Sequence, residues 1–248
     1  MSQRDIDANW QRDQTFALLT ELSDVHRLIE HGIWSVHQLS GSNDFNHGAL
    51  QFLSQGFERL LKCTLIALLE ARDMPVPTSR ELRTKYGHDV VKLHSDVVAL
   101  ASEVHAYSDR PAVQEDLEFM REDADLSRLL QLFADFGAKD RHYGIEAILD
   151  PAMADAELEP ARIWSSIEVD FLVRRDDIVG NPAFSQDEIH AQINAGMTMV
   201  LDRYFRALTR MWSLGAAGPQ GPYFASGALV GITKLTDEQL GIERPLTS

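Results

Sequence analysis

FLSQGFERLLKCTLIALLEARDMPVPTSRELRTKYGHDVVKL, residues Phe52 to Leu93, is the part of this chain that says most about its architecture. Leu53, Phe57, Leu60, Leu61, Thr64 and Leu68 recur at steps of three and four, the repeat of a helix with one apolar face. Glu58 and Lys62 stand four apart with the acid first, so they pair on one side of that helix. Pro75 and Pro77 stop the helix, because proline has no N–H to give to its interior. Thr78 to Lys85 forms a short helical turn, and Gly87 breaks it. His88 and Asp89 open the next helix, where the Asp89 carboxylate accepts from free N–H groups and suits the positive helix end.

The same period runs outward in both directions. Phe16, Leu19, Leu22, Val25, Leu28 and Ile29 stripe a first helix from about Gln11 to Leu39, with Gly32 as a weak point or bend. Ser40 to Asn43 ends it, and Asn43 or Asp44 is placed to cap the second helix, which runs from about Phe45 to Arg72. A third helix leads from Asp89 toward Tyr107, and a fourth covers about Ala112 to Phe136 after the stop at Asp109-Arg110-Pro111. The early part of the fourth, QEDLEFMREDADL, is acidic and is expected to face solvent. Pro160 starts a fifth helix toward Val179, and Ser185 with Glu188 forms a capping box for a sixth helix that reaches Trp212. From Gly215 the chain is rich in glycine and proline and reads as loop or tail, with one last turn capped at Thr236. The expected fold is all-α: an up-and-down antiparallel helical bundle with additional C-terminal helices. The expected division is one bundle domain over residues 1–214 and a tail over 215–248.

The chain has 248 residues and a formal net charge of −15. Nonspecific nucleic-acid binding rests on Lys and Arg neutralising phosphates, so a chain this acidic repels a polyanion as a whole, and no run of Lys or Arg marks a basic cleft. Anionic membranes are disfavoured for the same reason, and no stretch approaches the roughly 20 apolar residues of a membrane span. The polar N-terminus lacks a signal-peptide core, so a cytoplasmic protein is expected. The single cysteine, Cys63, lies in LLKCTLIALL and reads as a small buried hydrophobe without a nearby base.

Motifs with known chemistry are absent. Glu-x-x-His and His-Glu-x-x-His do not occur, and His26, His31 and His37 are spaced by five and six, which does not align them on one helix face. A metal site drawing on His26, His31, His37 or His47 from separate helices is the weakest of three options. The phosphate-binding glycine patterns and the Gly-x-Ser-x-Gly elbow are also missing. No metal and no cofactor is expected. Three local groups remain: Glu58 with Lys62, His88 with Asp89, and Arg141-His142-Tyr143. In the last, arginine offers a planar fork for phosphate and tyrosine a stacking face, a pairing suited to a nucleotide or RNA.

Taken in order, GFERLLKCTLIALL (56–69), the proline loop, GHDVVKL (87–93) and DRHYGIE (140–146) resemble the HEPN superfamily over roughly residues 44–149. The resemblance implies an antiparallel helical bundle, often a homodimer, of toxin and defence systems, with several metal-independent ribonucleases among its members. It places Glu58, Lys62, His88, Asp89, Arg141 and Tyr143 in a ligand-binding group. Catalytic members carry Arg-x(4–6)-His on a late helix, whereas no histidine stands four to seven positions after Arg141 here. Arg83 and His88 have the required spacing but lie before the third helix. Two functions are therefore expected in this order: a non-catalytic HEPN-like binding or interaction protein, and a metal-independent ribonuclease using Arg141 and His142 or Arg83 and His88, with histidine as general acid–base.

Overall fold

In the computed structural model the described residues are 12–138, 148–149, 160–175, 178 and 184–246. Among them ten helices form an all-α bundle with no strand. They are α1 (Arg12–His37), α2 (Asn46–Glu70), α3 (Ser79–Lys85), α4 (Val90–Ser102), α5 (His105–Ser108), α6 (Pro111–Glu122), α7 (Ala124–Ala138), α8 (Pro160–Val173), α9 (Gln186–Ser213) and α10 (Gly221–Ala228). Short 3-10 turns follow at Ile232–Lys234 and Asp237–Gln239.

The most extensive helix pair is α1 on α2, and glycines set its spacing. A Cβ on Gly32 would lie 2.5 Å from Leu53 Cγ, and one on Gly56 would lie 2.6 Å from Ile29 Cγ1. Numbers fall along α1 as they rise along α2, so the pair is antiparallel. Gly32 lies within the continuous α1 and lets α2 come close.

Phe57 of α2 stacks on Phe133 of α7 and lies against Tyr204 and Phe205 of α9. One turn pair further on, Trp212 Nε1 donates to Thr64 Oγ1 at 3.0 Å. Residues 57 and 64 thus meet 204 and 212 in rising order, and α9 runs parallel to α2. The 28-residue α9 is the second axis of the core, touching α1, α6, α7, α8 and α10.

Several local signals appear as read. The short helix before Gly87 forms, Ser185 with Glu188 closes its capping box, and Asp89 accepts from Lys92 N at 2.8 Å; Thr78 with Glu81 closes a second box that the sequence reading did not name. Others differ. Phe45, not Asn43 or Asp44, holds the N-cap of α2, without a side-chain cap. The helix expected over 112–136 is two, because Asp123 is extended and caps α7 by accepting from Leu126 N at 2.8 Å. The acidic stretch in α6 does not simply face solvent: Asp116, Leu117, Phe119 and Met120 are buried. The stretch after Gly215 carries α10, which packs on α1 and α9 and buries Phe224, followed by buried Leu229 and Ile232.

Candidate functional site

The polar group expected from the sequence is built by two elements that the α2–α4 packing brings together. Glu58 and Lys62 occupy successive turns of α2. Lys62 Nζ donates to Glu58 Oε1 at 2.5 Å and to the Gly87 carbonyl at 2.8 Å. That carbonyl is available because Gly87 sits at φ +53, the left-handed conformation that ends α3, with its N–H bonded to Arg83 O at 3.0 Å. The next residue, His88, places Nδ1 2.8 Å from Glu58 Oε2. An ionised carboxylate only accepts, so Nδ1 carries the proton and donates. Both carboxylate oxygens of Glu58 are therefore bound, one to an ammonium and one to an imidazole.

Burial grades outward. The side chains of Glu58, Lys62 and His88 are 13%, 21% and 41% exposed. His88 is the open end of the group, and its Nε2 makes no hydrogen bond among the described residues. In the Nδ1–H tautomer that nitrogen has a lone pair, so this partly exposed ring carries a carboxylate-backed acceptor, an arrangement able to accept a proton or a donor hydrogen. The C-terminal end of α7 passes behind it: a Cβ on Gly137 would lie 3.2 Å from His88 Cβ.

Of the residues singled out by the sequence, Glu58, Lys62 and His88 converge. Asp89 is exposed and engaged in capping α4. Arg83 lies on the exposed side of α3, and no hydrogen bond joins it to His88 among the described residues. Arg141, His142 and Tyr143 lie outside the described residues. The remaining histidines have separate surroundings. His26 approaches Glu30 at 3.1 Å and packs on Phe205, His31 Nδ1 donates to Arg27 O at 2.8 Å, and His47 packs edge-on against Phe136. His37 is held below the usual histidine range by burial. Among the described residues no three His, Cys, Asp or Glu side chains are grouped to hold a metal ion. Cys63 is buried, and burial pushes its thiol up to about 12, so it is a poor nucleophile. No described helix is long and apolar enough to cross a membrane.

Two polar groups escaped the sequence reading. His94 of α4 is buried, with Nδ1 2.9 Å from Tyr204 Oη and Nε2 2.9 Å from Met120 O. The carbonyl must accept, so Nε2 carries the proton and Tyr204 donates to Nδ1; the ring is neutral, and burial lowers its pKa. The second group is Arg203, Arg206 and Arg210 on α9. A search for runs of basic residues passes over them, but spacings of three and four put them on one helix face. Comparison of the chain with family models, with curated proteins and with solved structures finds no match.

Proposed function

We propose that this chain is a non-catalytic helical binding or interaction protein of HEPN-like character, acting as a dimer and engaging a nucleotide or RNA segment. The observation that supports the non-catalytic reading is how the Glu58–Lys62–His88 group spends its charge. Cleaving a phosphodiester requires a cation held free for the developing negative charge, besides an acid–base group. Lys62, the cation of this group, is bound to Glu58 Oε1 and the Gly87 carbonyl.

The second reading is a metal-independent ribonuclease, favoured by one feature: a partly exposed histidine oriented by a carboxylate. Incubation of the purified chain with single-stranded RNA in EDTA separates the two. The proposed function expects intact RNA, with fluorescence anisotropy reporting salt-sensitive binding of RNA or nucleotide that weakens in Arg141→Ala and Tyr143→Ala. Light scattering is expected to report a dimer. Cleavage that disappears in His88→Ala or Arg141→Ala would establish the ribonuclease instead.

A further inference from the structure

A cavity of about 430 Å³ opens between α6, α9 and the Asp237–Gln239 turn, away from the Glu58 group. Arg203, Arg206 and Arg210 all line it, and they are in three different states. Arg210 is spent: its Nη1 donates at 2.8 Å to Asp116, a buried carboxylate. Arg206 is half spent. It is 4% exposed, and its Nη1 donates to Leu235 O at 2.9 Å while Nη2 donates to Asp237 Oδ1 at 2.6 Å. Its Nε is buried and has no partner among the described residues. Nε and Nη2 form one edge of the guanidinium, the edge that takes a carboxylate through two parallel bonds. Asp237 thus bonds to one of the two nitrogens of that edge, Nη2. Its own side chain is 82% exposed, so it is the easily removed member of the pair.

Arg203 sits over the ring of Phe119, with Cζ 4.2 Å from the centroid, and makes no ion pair or hydrogen bond among the described residues. Beside these cations the cavity wall is apolar at Phe119, Met199, Val200 and Leu240. That wall suits an apolar body.

The carboxylates on the wall limit the ligand's charge. Glu115, Asp116, Asp123 and Asp237 stand against the three arginines. Asp116 is bound by Arg210 and Asp123 is used in capping α7. A monoanion that displaces Asp237 exchanges one negative charge on Arg206 for another and leaves the local balance unchanged. A phosphate dianion or a nucleotide would bring additional negative charge beside Glu115, Asp116 and Asp123.

We propose that this cavity binds a small organic monocarboxylate with a flat apolar body, whose carboxylate replaces Asp237 on the Nε–Nη2 edge of Arg206 while its body lies against Met199, Val200 and Leu240 beside the Arg203–Phe119 pair. Asp237 is then a built-in competitor that ties the Asp237–Gln239 turn to Arg206.

Isothermal titration of the full chain with benzoate, hexanoate and inorganic phosphate tests this. Benzoate is expected to bind more tightly than hexanoate, and phosphate least. Asp237→Ala is expected to tighten benzoate by about three- to tenfold by removing the competitor. Arg203→Gln, at a partly exposed position, is expected to weaken it by about tenfold with the helical circular dichroism unchanged. Arg206→Lys keeps the charge and removes the fork, and is expected to weaken it at least as much. Absence of carboxylate binding at roughly 10 mM in both the wild type and Asp237→Ala, a Kd below the roughly 1 mM range being accessible to a well-placed ion pair, would overturn the proposal. So would phosphate binding more tightly than benzoate, or an affinity unchanged in Arg203→Gln.

Discussion

Arg244, near the end of the described chain, grips Asp202 in the middle of α9 through two bonds, Nη2 to Oδ1 at 2.5 Å and Nη1 to Oδ2 at 2.8 Å. Asp202 is fully buried and also accepts from Gly241 N at 3.0 Å. The segment after α10 is therefore fastened to the core axis by a carboxylate that has no access to water. Removing Arg244 would leave that charge buried with only one backbone donor, and breaking such a pair costs about 3–5 kcal/mol. The guanidinium end is partly exposed, so Arg244→Ala is expected near the lower end, about 3 kcal/mol, by urea denaturation. The double variant Asp202→Leu with Arg244→Leu is expected to lose less than Arg244→Ala alone.

Buried histidine makes stability pH-dependent. His94 and His37 are both held below the ordinary value of 6.5 in the folded chain, chiefly by burial. Below that value the unfolded chain takes up protons that the folded chain refuses. Their contribution is complete above pH 6.5 and is lost as pH falls from there toward the depressed folded values. Each group contributes a slope of at most about 1.4 kcal/mol per pH unit. Denaturation midpoints measured between pH 5 and 7.5 are expected to fall on acidification, with a shallower fall in His94→Gln.

The α1–α2 contact predicts a loss from a substitution that usually helps a helix. Alanine in place of glycine favours a helix interior by about 1 kcal/mol. At Gly32 and Gly56 the new methyl would meet Leu53 Cγ and Ile29 Cγ1 inside contact distance, with the Leu53 and Ile29 backbone nitrogens at 3.1 and 3.2 Å behind them. Overpacking of this kind costs about 1–3 kcal/mol and exceeds the propensity gain. Gly32→Ala and Gly56→Ala are each expected to lower the thermal midpoint, the reverse of the shift at an unpacked helical glycine.

Cys63 gives a direct probe of opening. With its thiol pushed up to about 12 by burial, native protein is expected to react with an aromatic disulfide reagent only as fast as the core opens. In urea the reaction is expected to complete within mixing. Rapid stoichiometric reaction of native protein would show that the α2 core is open at that point.

The Glu58–His88 bond tests the candidate site as a structural unit. Glu58→Gln keeps the shape but weakens two charge-assisted bonds, to Lys62 and to His88. With the group partly exposed, the expected loss is about 1–2 kcal/mol. The imidazole signals of His88 are expected to shift and broaden in NMR as the ring loses its fixed tautomer. An unchanged spectrum would mean that Glu58 does not orient the ring.

Much of the helical frame was legible in the linear pattern, and so was one contact of the candidate site. The Glu58–Lys62 pair is one turn long, so its spacing alone predicts contact. The join to His88 is not: it spans 30 residues and depends on how the proline loop returns α4 to α2. The break at Asp123 was hidden because the apolar steps continue across it. The packing after Gly215 was hidden because glycine and proline are common in loops, and only the depth of Phe224, Leu229 and Ile232 shows that this segment completes the core.

Periodicity, proline stops and capping residues act within about one helical turn, and they were enough to specify an all-α chain and the approximate places where its helices begin and end. The rotation of each helix about its own axis is set by the packed neighbours on every side, and this places polar partners that an apolar stripe does not reveal. Asp116 meets Arg210 across 94 residues, His94 meets Tyr204 across 110, and Asp202 meets Arg244 across 42. These pairs form because a buried charge or hydroxyl must find a partner once water has been excluded, and which partner lies within reach is a property of the assembled bundle.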